Sequence, residues 1–333
     1  GIVEDFTGGG IWITLTTLTL NRVAVDENLG NGIVYQEGQL ILNDSSVSNN
    51  QGAGIYTPGS LSFSGVINRS TISGNEGAGI VQHSGDLAVN NSTVSNNHSS
   101  GIVTNMGNLT LNNSTVTGNN VKLYQDDFSV AGGIWNIPAS QYNPSPSTIT
   151  LRNSIVAGNI SEDGSQDCNG PITSAGYNII GTTEGCDFAS TTGDLLNVDP
   201  KLGPLQNNGG PTSTYELLLG SPAIDAGNPA TPGSGGDACE AVDQRGVARP
   251  QGVRCDIGAF ETGANASVNT PTPTSTNVSN PPTLTFTPMP ISPTNTPTPP
   301  LGVYSLDFRI QFEGVTASSL KLTKVVKITY GNT

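Results

Sequence analysis

Apolar and polar residues alternate along the first 160 positions in a pattern that returns with a nearly constant step. Each unit starts with a Gly-Ile pair, continues through short alternating stretches and ends in a polar corner rich in Ser and Asn. The steps between successive pairs are 22, 22, 25, 22 and 32 residues, and the pairs begin at Gly10, Gly32, Gly54, Gly79, Gly101 and Gly133. Short alternation of this kind predicts β-strands. A repeat of this length, made of short strands and polar corners, predicts one coil of a β-solenoid per unit.

The polar corner ends on an asparagine in successive units. Asparagine and glycine suit a corner because both tolerate a positive φ. Since stacked coils lie about 4.8 Å apart, we predict a ladder of side-chain amide hydrogen bonds formed by Asn28, Asn50, Asn75, Asn97 and Asn119. Asn-x-Ser/Thr triplets beginning at Asn90 and Asn108 fall within the same repeat, and we interpret them as ladder residues rather than glycan acceptors. Calcium-binding turns are the alternative for Asn-rich repeats, but the Gly-Gly-x-Gly-x-Asp signature of such turns is absent.

Composition excludes several classes of protein. Charged residues make up 11% of the chain, and no stretch keeps a helical period, so we expect an all-β fold. The 12 basic and 26 acidic residues give a net charge of −14. This argues against a nucleic-acid partner, because phosphates require clustered Lys and Arg. No apolar stretch is long enough to predict a transmembrane segment.

The cysteines indicate an oxidising compartment. They form two local pairs, each bracketing a turn-rich insertion: Cys168 with Cys186 and Cys239 with Cys255. An even count with local pairing predicts two disulfides and therefore an extracellular protein. A metal site is not predicted, because neither pair has CxxC spacing and the two histidines, His83 and His98, lie far away in the sequence.

Residues 199–261 carry the most specific motifs of the chain. They read DPKLGPL from Asp199, NNGGPT from Asn207, LLLGSPAIDAG from Leu217, DQRG from Asp243 and DIGAFE from Asp256. This region resembles the choice-of-anchor Q domain, which closes right-handed parallel β-helices of bacterial secreted surface proteins. The resemblance implies a right-handed parallel β-helix held at or near a bacterial cell surface, and it implies no activity.

Four charged residues of this region allow two interpretations: Asp225, Asp243, Arg245 and Asp256. Clustered aspartates with an arginine occur in polysaccharide hydrolases and lyases. The structural interpretation is that Arg245 neutralises the carboxylates and pins the cap onto the final coil. We favour the second, because these residues lie beyond the repeats and because basic residues are scarce within residues 1–160. No catalytic residue is assigned.

After Glu261 the composition changes abruptly. Residues 262–300 form a Thr/Pro-rich stretch, which predicts an extended, semi-rigid spacer. Residues 301–333 then alternate again and predict two strands, with apolar positions at Leu306, Phe308, Ile310, Phe312, Leu320, Leu322, Val325 and Ile328. Two strands are not stable alone. We therefore hypothesise that they pair with a neighbouring subunit in a head-to-tail fibre, and the alternative is a truncated β-sandwich.

The sequence thus predicts an all-β, right-handed parallel β-helix over residues 1–198, with coils of about 22 residues. A cap at 199–261, a spacer at 262–300 and a strand tail at 301–333 follow. The predicted function is a non-enzymatic extracellular structural or adhesive protein of the bacterial cell surface, with other copies of itself or a cell-surface polysaccharide as partner. The alternative is a carbohydrate-active β-helix enzyme. No cofactor is predicted, although calcium in the acidic segments 126–127 and 237–243 is left open.

Overall fold

The computed structural model describes residues 2–3, 9–13, 16–59, 63–121, 131–137, 147–162 and 167–263. Within these ranges all the regular secondary structure consists of β-strands. The predicted tail at 301–333, the spacer from residue 264 onward and the acidic pair Asp126 and Asp127 lie outside the described residues. The all-β solenoid that the repeat predicts is confirmed.

Each coil contributes one strand to each of three parallel stacks, here called sheets 1, 2 and 3. Sheet 1 holds the strands that follow the Gly-Ile glycine: Ile11–Ile13, Ile33–Tyr35, Ile55–Thr57, Ile80–Gln82, Ile102–Thr104 and Ile134–Asn136. Sheet 2 holds the longer strands Thr16–Asn21, Gly38–Asn43, Phe63–Asn68, Gly85–Asn90, Gly107–Asn112, Thr148–Arg152 and Cys186–Ala189. Cys168–Ser174 pairs with both sheets and joins them.

Sheet 3 contains the strands that lead into the asparagine corner. They are Ile2–Val3, Ala24–Asp26, Ser46–Ser48, Thr71–Ser73, Thr93–Ser95, Thr115–Thr117, Ile155–Val156, Ile179–Ile180 and Leu195–Leu196. A small parallel pair, Asn120–Val121 with Ile160–Ser161, follows this corner in the coil that carries the insertions. Leu202–Gln206 and Thr214–Leu217 form the one antiparallel strand pair among the described residues, and an isolated antiparallel bridge joins Val242 to Ala248.

The interior is a continuous apolar core formed by in-register columns. Ile33 of sheet 1, Leu40 of sheet 2 and Val47 of sheet 3 are all fully buried, and their equivalents in the next coils stack on them. Because side chains alternate between the two faces of a strand, the residues between them point outward. The register therefore decides which residues form each outer surface of the rod.

The glycine of each Gly-Ile pair is required by a close approach between coils. A Cβ atom on Gly54 would lie 2.7 Å from the carbonyl oxygen of Gly79 and 2.8 Å from the side-chain nitrogen of Asn75. Any larger residue at this position would separate the two coils. The recurrence of the Gly-Ile pair in the sequence is thus a consequence of the asparagine ladder beside it.

Residues 199–261, predicted as a cap, are here called the lateral segment. They run along the outer face of sheet 3, where Ser213 accepts a hydrogen bond from Thr71 and Gln244 accepts one from Thr93, both at 2.7 Å. Farther along, the amide of Ala259 donates to Thr115. The segment spans several coils because it contacts two kinds of outward residue on sheet 3. In the earlier coils it bonds to threonine hydroxyls, and in the later coils it packs on an apolar patch formed by Ile155, Ile179 and Leu195.

Candidate functional site

The predicted asparagine ladder is formed in the structure and runs inside the rod. Each side-chain amide donates to the side-chain oxygen of the next, at 2.8–2.9 Å, through Asn28, Asn50, Asn75, Asn97 and Asn119. The ladder continues through Asn159 and ends at Asp167, which accepts both the backbone and the side-chain N–H of Asn159. A carboxylate can only accept, so Asp167 terminates a chain of donors that all point the same way.

The surroundings of Asp167 make it a structural residue. Its second oxygen accepts the backbone N–H of Thr182 at 2.8 Å. Burial raises the pKa of its carboxyl above the usual value, and the hydrogen bonds from Asn159 and Thr182 act in the opposite direction. A cleft of about 320 Å³ lies beside it and is also lined by Asp199. Asp199 accepts the amide of Lys201, so both carboxylates in the cleft are engaged in fixing the local backbone.

A second ladder follows the outer edge of sheet 2. Its amides donate in the opposite direction, toward the N-terminal coil, through Asn112, Asn90, Asn68, Asn43 and Asn21. Arg152 donates to Asn112 and ends this ladder with a group that can only donate. Asn90 therefore has the ladder role that the repeat predicts. Asn108 lies on the same strand as Asn112 but in register with Asp86, to which it donates at 2.7 Å.

Both predicted cysteine pairs are disulfide-bonded in the structure. Cys168–Cys186 ties together two late coils, and Cys239–Cys255 closes a loop within the lateral segment. Two disulfides indicate a secreted or extracellular protein. The part of the chain that the structure describes contains no helix with the length and hydropathy to span a membrane.

The charged cluster of the lateral segment is only partly the one that the sequence predicts. Arg245 pairs with Asp243 at 2.7 Å, donates to the carbonyl of Glu261 and lies over the ring of Phe260. These partners all belong to the lateral segment. Arg245 thus stabilises that segment internally and does not pin it onto the final coil. The side chains of the other two predicted members accept backbone amides. Asp256 accepts the amide of Asp225 at 2.7 Å, and Asp225 accepts the amide of Arg254 at 3.0 Å.

The centre of this cluster is a pair that sequence reasoning missed. Arg249 and Glu261 are both fully buried and 2.8 Å apart. Arg249 also donates to the carbonyls of Asp256 and Gly258, and Glu261 accepts the amides of Gln251 and Asp256. Burial raises the pKa of the Glu261 carboxyl, and the nearby Arg249 charge lowers it again. Carboxylates saturated in this way hold a loop together and are not free for acid–base chemistry.

The described residues contain no group of three or more His, Cys, Asp or Glu able to hold a metal ion. In the segment 237–243, Asp237 pairs with Arg152 and Asp243 with Arg245. Two of the three carboxylates in this segment, Asp237 and Asp243, are therefore paired with arginines, and Glu240 is the third.

The outer surface of sheet 1 is different in character and is the candidate site. One outward column, in register from coil to coil, consists of Trp12, Val34, Tyr56, Val81, Val103 and Trp135. Two positions later in each coil a second outward column contains Gln36, Pro58, His83, Asn105 and Ile137. We call these two columns the aromatic face. It carries both tryptophans of the chain, and Trp12 is 65% exposed.

The aromatic face is uncharged and lies on a layer of buried side chains. The strands beneath it are fixed by buried isoleucines such as Ile33 and Ile102, one residue before each outward position. The rings of Tyr56 and His83 meet edge to face with centroids 5.5 Å apart. Burial lowers the pKa of His83, so its imidazole is neutral at pH 7. None of the residues in the two columns is charged at that pH.

Sequence reasoning overlooked this face, although a signal exists. Trp12 and Trp135 each follow a Gly-Ile pair directly and therefore occupy the same position in their coils. The strand that carries Trp135 is preceded by residues 122–130 and followed by residues 138–146, which lie outside the described residues. The face offers aromatic ring surfaces and neutral polar groups, which suit binding better than acid–base catalysis.

Comparison with known proteins gives a fold. No curated protein matches the sequence. Among solved structures, the crystal structure of pectate lyase Pel9A is similar at 14% identity, covering 79% of this chain and 77% of that one with a TM-score of 0.47. Likeness at this level is no evidence about activity. The sequence pattern of the right-handed β-helix region matches residues 5–192, more than half of the chain. The chain therefore belongs to the right-handed β-helix family.

Proposed function

We propose that this protein is an extracellular, non-enzymatic rod that adheres to other material at the cell surface through its aromatic face. The observation that carries the proposal is the position of both tryptophans on one outward column of sheet 1. Trp12 is exposed, Tyr56 and Trp135 are half-buried, and Val34 between Trp12 and Tyr56 is buried. An exposed aromatic side chain on an apolar surface strip is typical of an interaction site. The two disulfides support the extracellular setting.

The arrangement of the carboxylates favours binding over catalysis. The buried acids of the lateral segment are neutralised or saturated by Arg245, Arg249 and backbone amides. The aromatic face itself has no carboxylate. General acid–base hydrolysis of a glycosidic bond requires two carboxyl groups on either side of the bond, and neither place supplies such a pair.

Binding and catalysis are separated by one experiment. The purified protein is incubated with insoluble polysaccharides and with bacterial cell walls, and the bound fraction is measured by sedimentation. The supernatants are assayed for new reducing ends and for unsaturated sugar products. We expect retention without product. Retention on none of the materials would overturn adhesion, and product released in proportion to the protein added would overturn the non-enzymatic part.

Head-to-tail assembly through residues 301–333 stays a prediction, because these residues lie outside the described ranges. Electron microscopy of the whole chain beside a chain that ends at Ala264 tests it directly. Filaments formed by the first and not by the second support strand addition. Filaments formed by both would place the self-contact elsewhere.

A further inference from the structure

The aromatic face has the shape of a narrow track parallel to the rod axis. Trp12 and Tyr56 are two strands apart in register, and Tyr56 and Trp135 are three strands apart. With strands about 4.8 Å apart, the rings are spaced by roughly 10 Å and 14 Å over a track of roughly 24 Å. The two columns lie two residues, or about 7 Å, apart across the axis, so the track is about 10 Å wide with its side chains.

The size of the track excludes a folded protein as its main occupant. A strip of these dimensions offers a few hundred Å², well below the roughly 800 Å² per partner of a stable protein interface. A single extended chain fits a long and narrow strip. Trp12 is 65% exposed, and the flat apolar face of an indole ring matches the apolar face of a sugar ring.

The charge of the track decides between kinds of chain. Neither outward column contains Lys or Arg, and the protein carries a net charge of −14. An acidic polysaccharide or a nucleic acid would therefore approach a like-charged protein and find no cation on the track to pair with. The polar groups of the face, such as Gln36 and the neutral His83, are suited to hydroxyl groups.

We propose that the aromatic face binds a single uncharged polysaccharide chain, laid along the solenoid axis and stacked on Trp12, Tyr56 and Trp135. This inference rests on the proposed adhesive function and names the ligand class of the same face. It makes the face selective: neutral glycans bind, and uronate-containing glycans do not.

The test uses the whole chain and soluble polysaccharides of known charge. Hydroxyethylcellulose, xyloglucan and galactomannan serve as neutral probes, and polygalacturonate and alginate as acidic ones, in affinity gel electrophoresis and in fluorescence titration. Intrinsic tryptophan emission is a direct reporter, because both tryptophans of the chain lie on the track. We expect at least one neutral probe to shift this emission and to retard the protein equally at low and high salt.

The variants are Trp12→Ala and Trp135→Ala, with Leu219→Ala as the matched control. Leu219 is 78% exposed and lies on the lateral segment, so its loss removes exposed apolar surface of similar kind away from the track. Each tryptophan variant should bind at least about tenfold more weakly, as expected for an aromatic anchor, and Leu219→Ala should bind as the unmodified protein does. Far-UV circular dichroism verifies folding. Trp12→Ala carries the conclusion if Trp135→Ala is unstable, because Trp12 is mostly exposed.

Three results would overturn the proposal: binding of none of the neutral probes, preferential binding of acidic probes that weakens with salt, or unchanged binding by a folded Trp12→Ala variant. In each case retention on cell walls or insoluble polysaccharide, measured separately, shows whether adhesion itself still stands. A protein that neither binds the neutral probes nor is retained on the insoluble material would refute the adhesive function as well as the ligand class.

Discussion

Replacing Asn97 by alanine tests whether the inner ladder holds the coils together. The side-chain nitrogen of Asn97 donates to Asn119 at 2.8 Å and to the carbonyl of Ile72 at 3.3 Å. Its oxygen accepts the backbone N–H of Asn75 at 3.1 Å and the side-chain N–H of Asn75 at 2.9 Å. Alanine removes all four hydrogen bonds and leaves the backbone N–H of Asn75 buried without its acceptor.

The expected loss follows from the groups left unpaired. A buried donor or acceptor without a partner costs about 1–3 kcal/mol. The substitution strands one backbone N–H completely and removes one bond from each of three other groups, in a site with no access to solvent. We therefore expect Asn97→Ala to lower the free energy of unfolding by about 3–5 kcal/mol.

The chain supplies a matched control in the same coil. Asn90 belongs to the outer ladder, donates to Asn68 at 3.0 Å and accepts from Asn112 at 2.6 Å. It is partly exposed, so water replaces the lost partners and Asn90→Ala should cost about 1 kcal/mol or less. Urea unfolding followed by far-UV circular dichroism, with disulfides intact, measures both. Equal losses for Asn97→Ala and Asn90→Ala, within 1 kcal/mol, would refute the idea that burial makes the inner ladder decisive.

Two further substitutions probe buried carboxylates. Glu261→Gln removes the charge of the ion-pair partner of the buried Arg249 guanidinium and should cost about 3–5 kcal/mol in thermal or urea unfolding; a loss under about 1 kcal/mol would mean that solvent reaches the pair. Asp167→Asn should flatten the dependence of the melting temperature on pH. Because burial raises the pKa of Asp167 above 3.8, the folded state holds the proton more tightly than the unfolded state. That stabilisation is complete below pH 3.8 and is lost as the pH rises through the raised pKa. Melting curves of both proteins across this range that stay parallel would count against the assignment.

The sequence predicts the solenoid well where the repeat keeps its phase. Asn28 to Asn119 recur at steps of 22 or 25 residues, so position in the coil can be counted directly. The insertions break this count: Asn159 lies 40 residues beyond Asn119, and Asp167 only 8 beyond Asn159. The end of the ladder therefore depends on how the chain folds around the insertions. The repeat period carries no information about that.

The position of the lateral segment could not be read from its own motifs. Those motifs predict a cap in which Arg245 neutralises the aspartates, and the Arg245–Asp243 ion pair agrees with the neutralisation. They do not say where this cluster of loops packs on the solenoid. Where the cluster docks depends on the outward residues of another part of the chain. The outward-facing residue of sheet 3 changes from Thr115 in one coil to Ile155 in the next. This change from a hydroxyl to an apolar side chain is present in the sequence. The sequence does not show that these two residues are neighbours, because that depends on the register of the strands.

The two ladders have a consequence for the length of the molecule. One chain of amides ends on an acceptor, Asp167, and the other on a donor, Arg152, both in the last coils. The coils that precede these terminators share the same ladder hydrogen bonds. Gain or loss of one whole unit on the N-terminal side of the lateral segment's contacts with Thr71, Thr93 and Thr115 therefore leaves both terminators satisfied. Each such step changes the reach of the molecule by about 4.8 Å. Gene duplication within the repeats can therefore adjust how far the protein extends, while the disulfide-bonded C-terminal coils stay as they are.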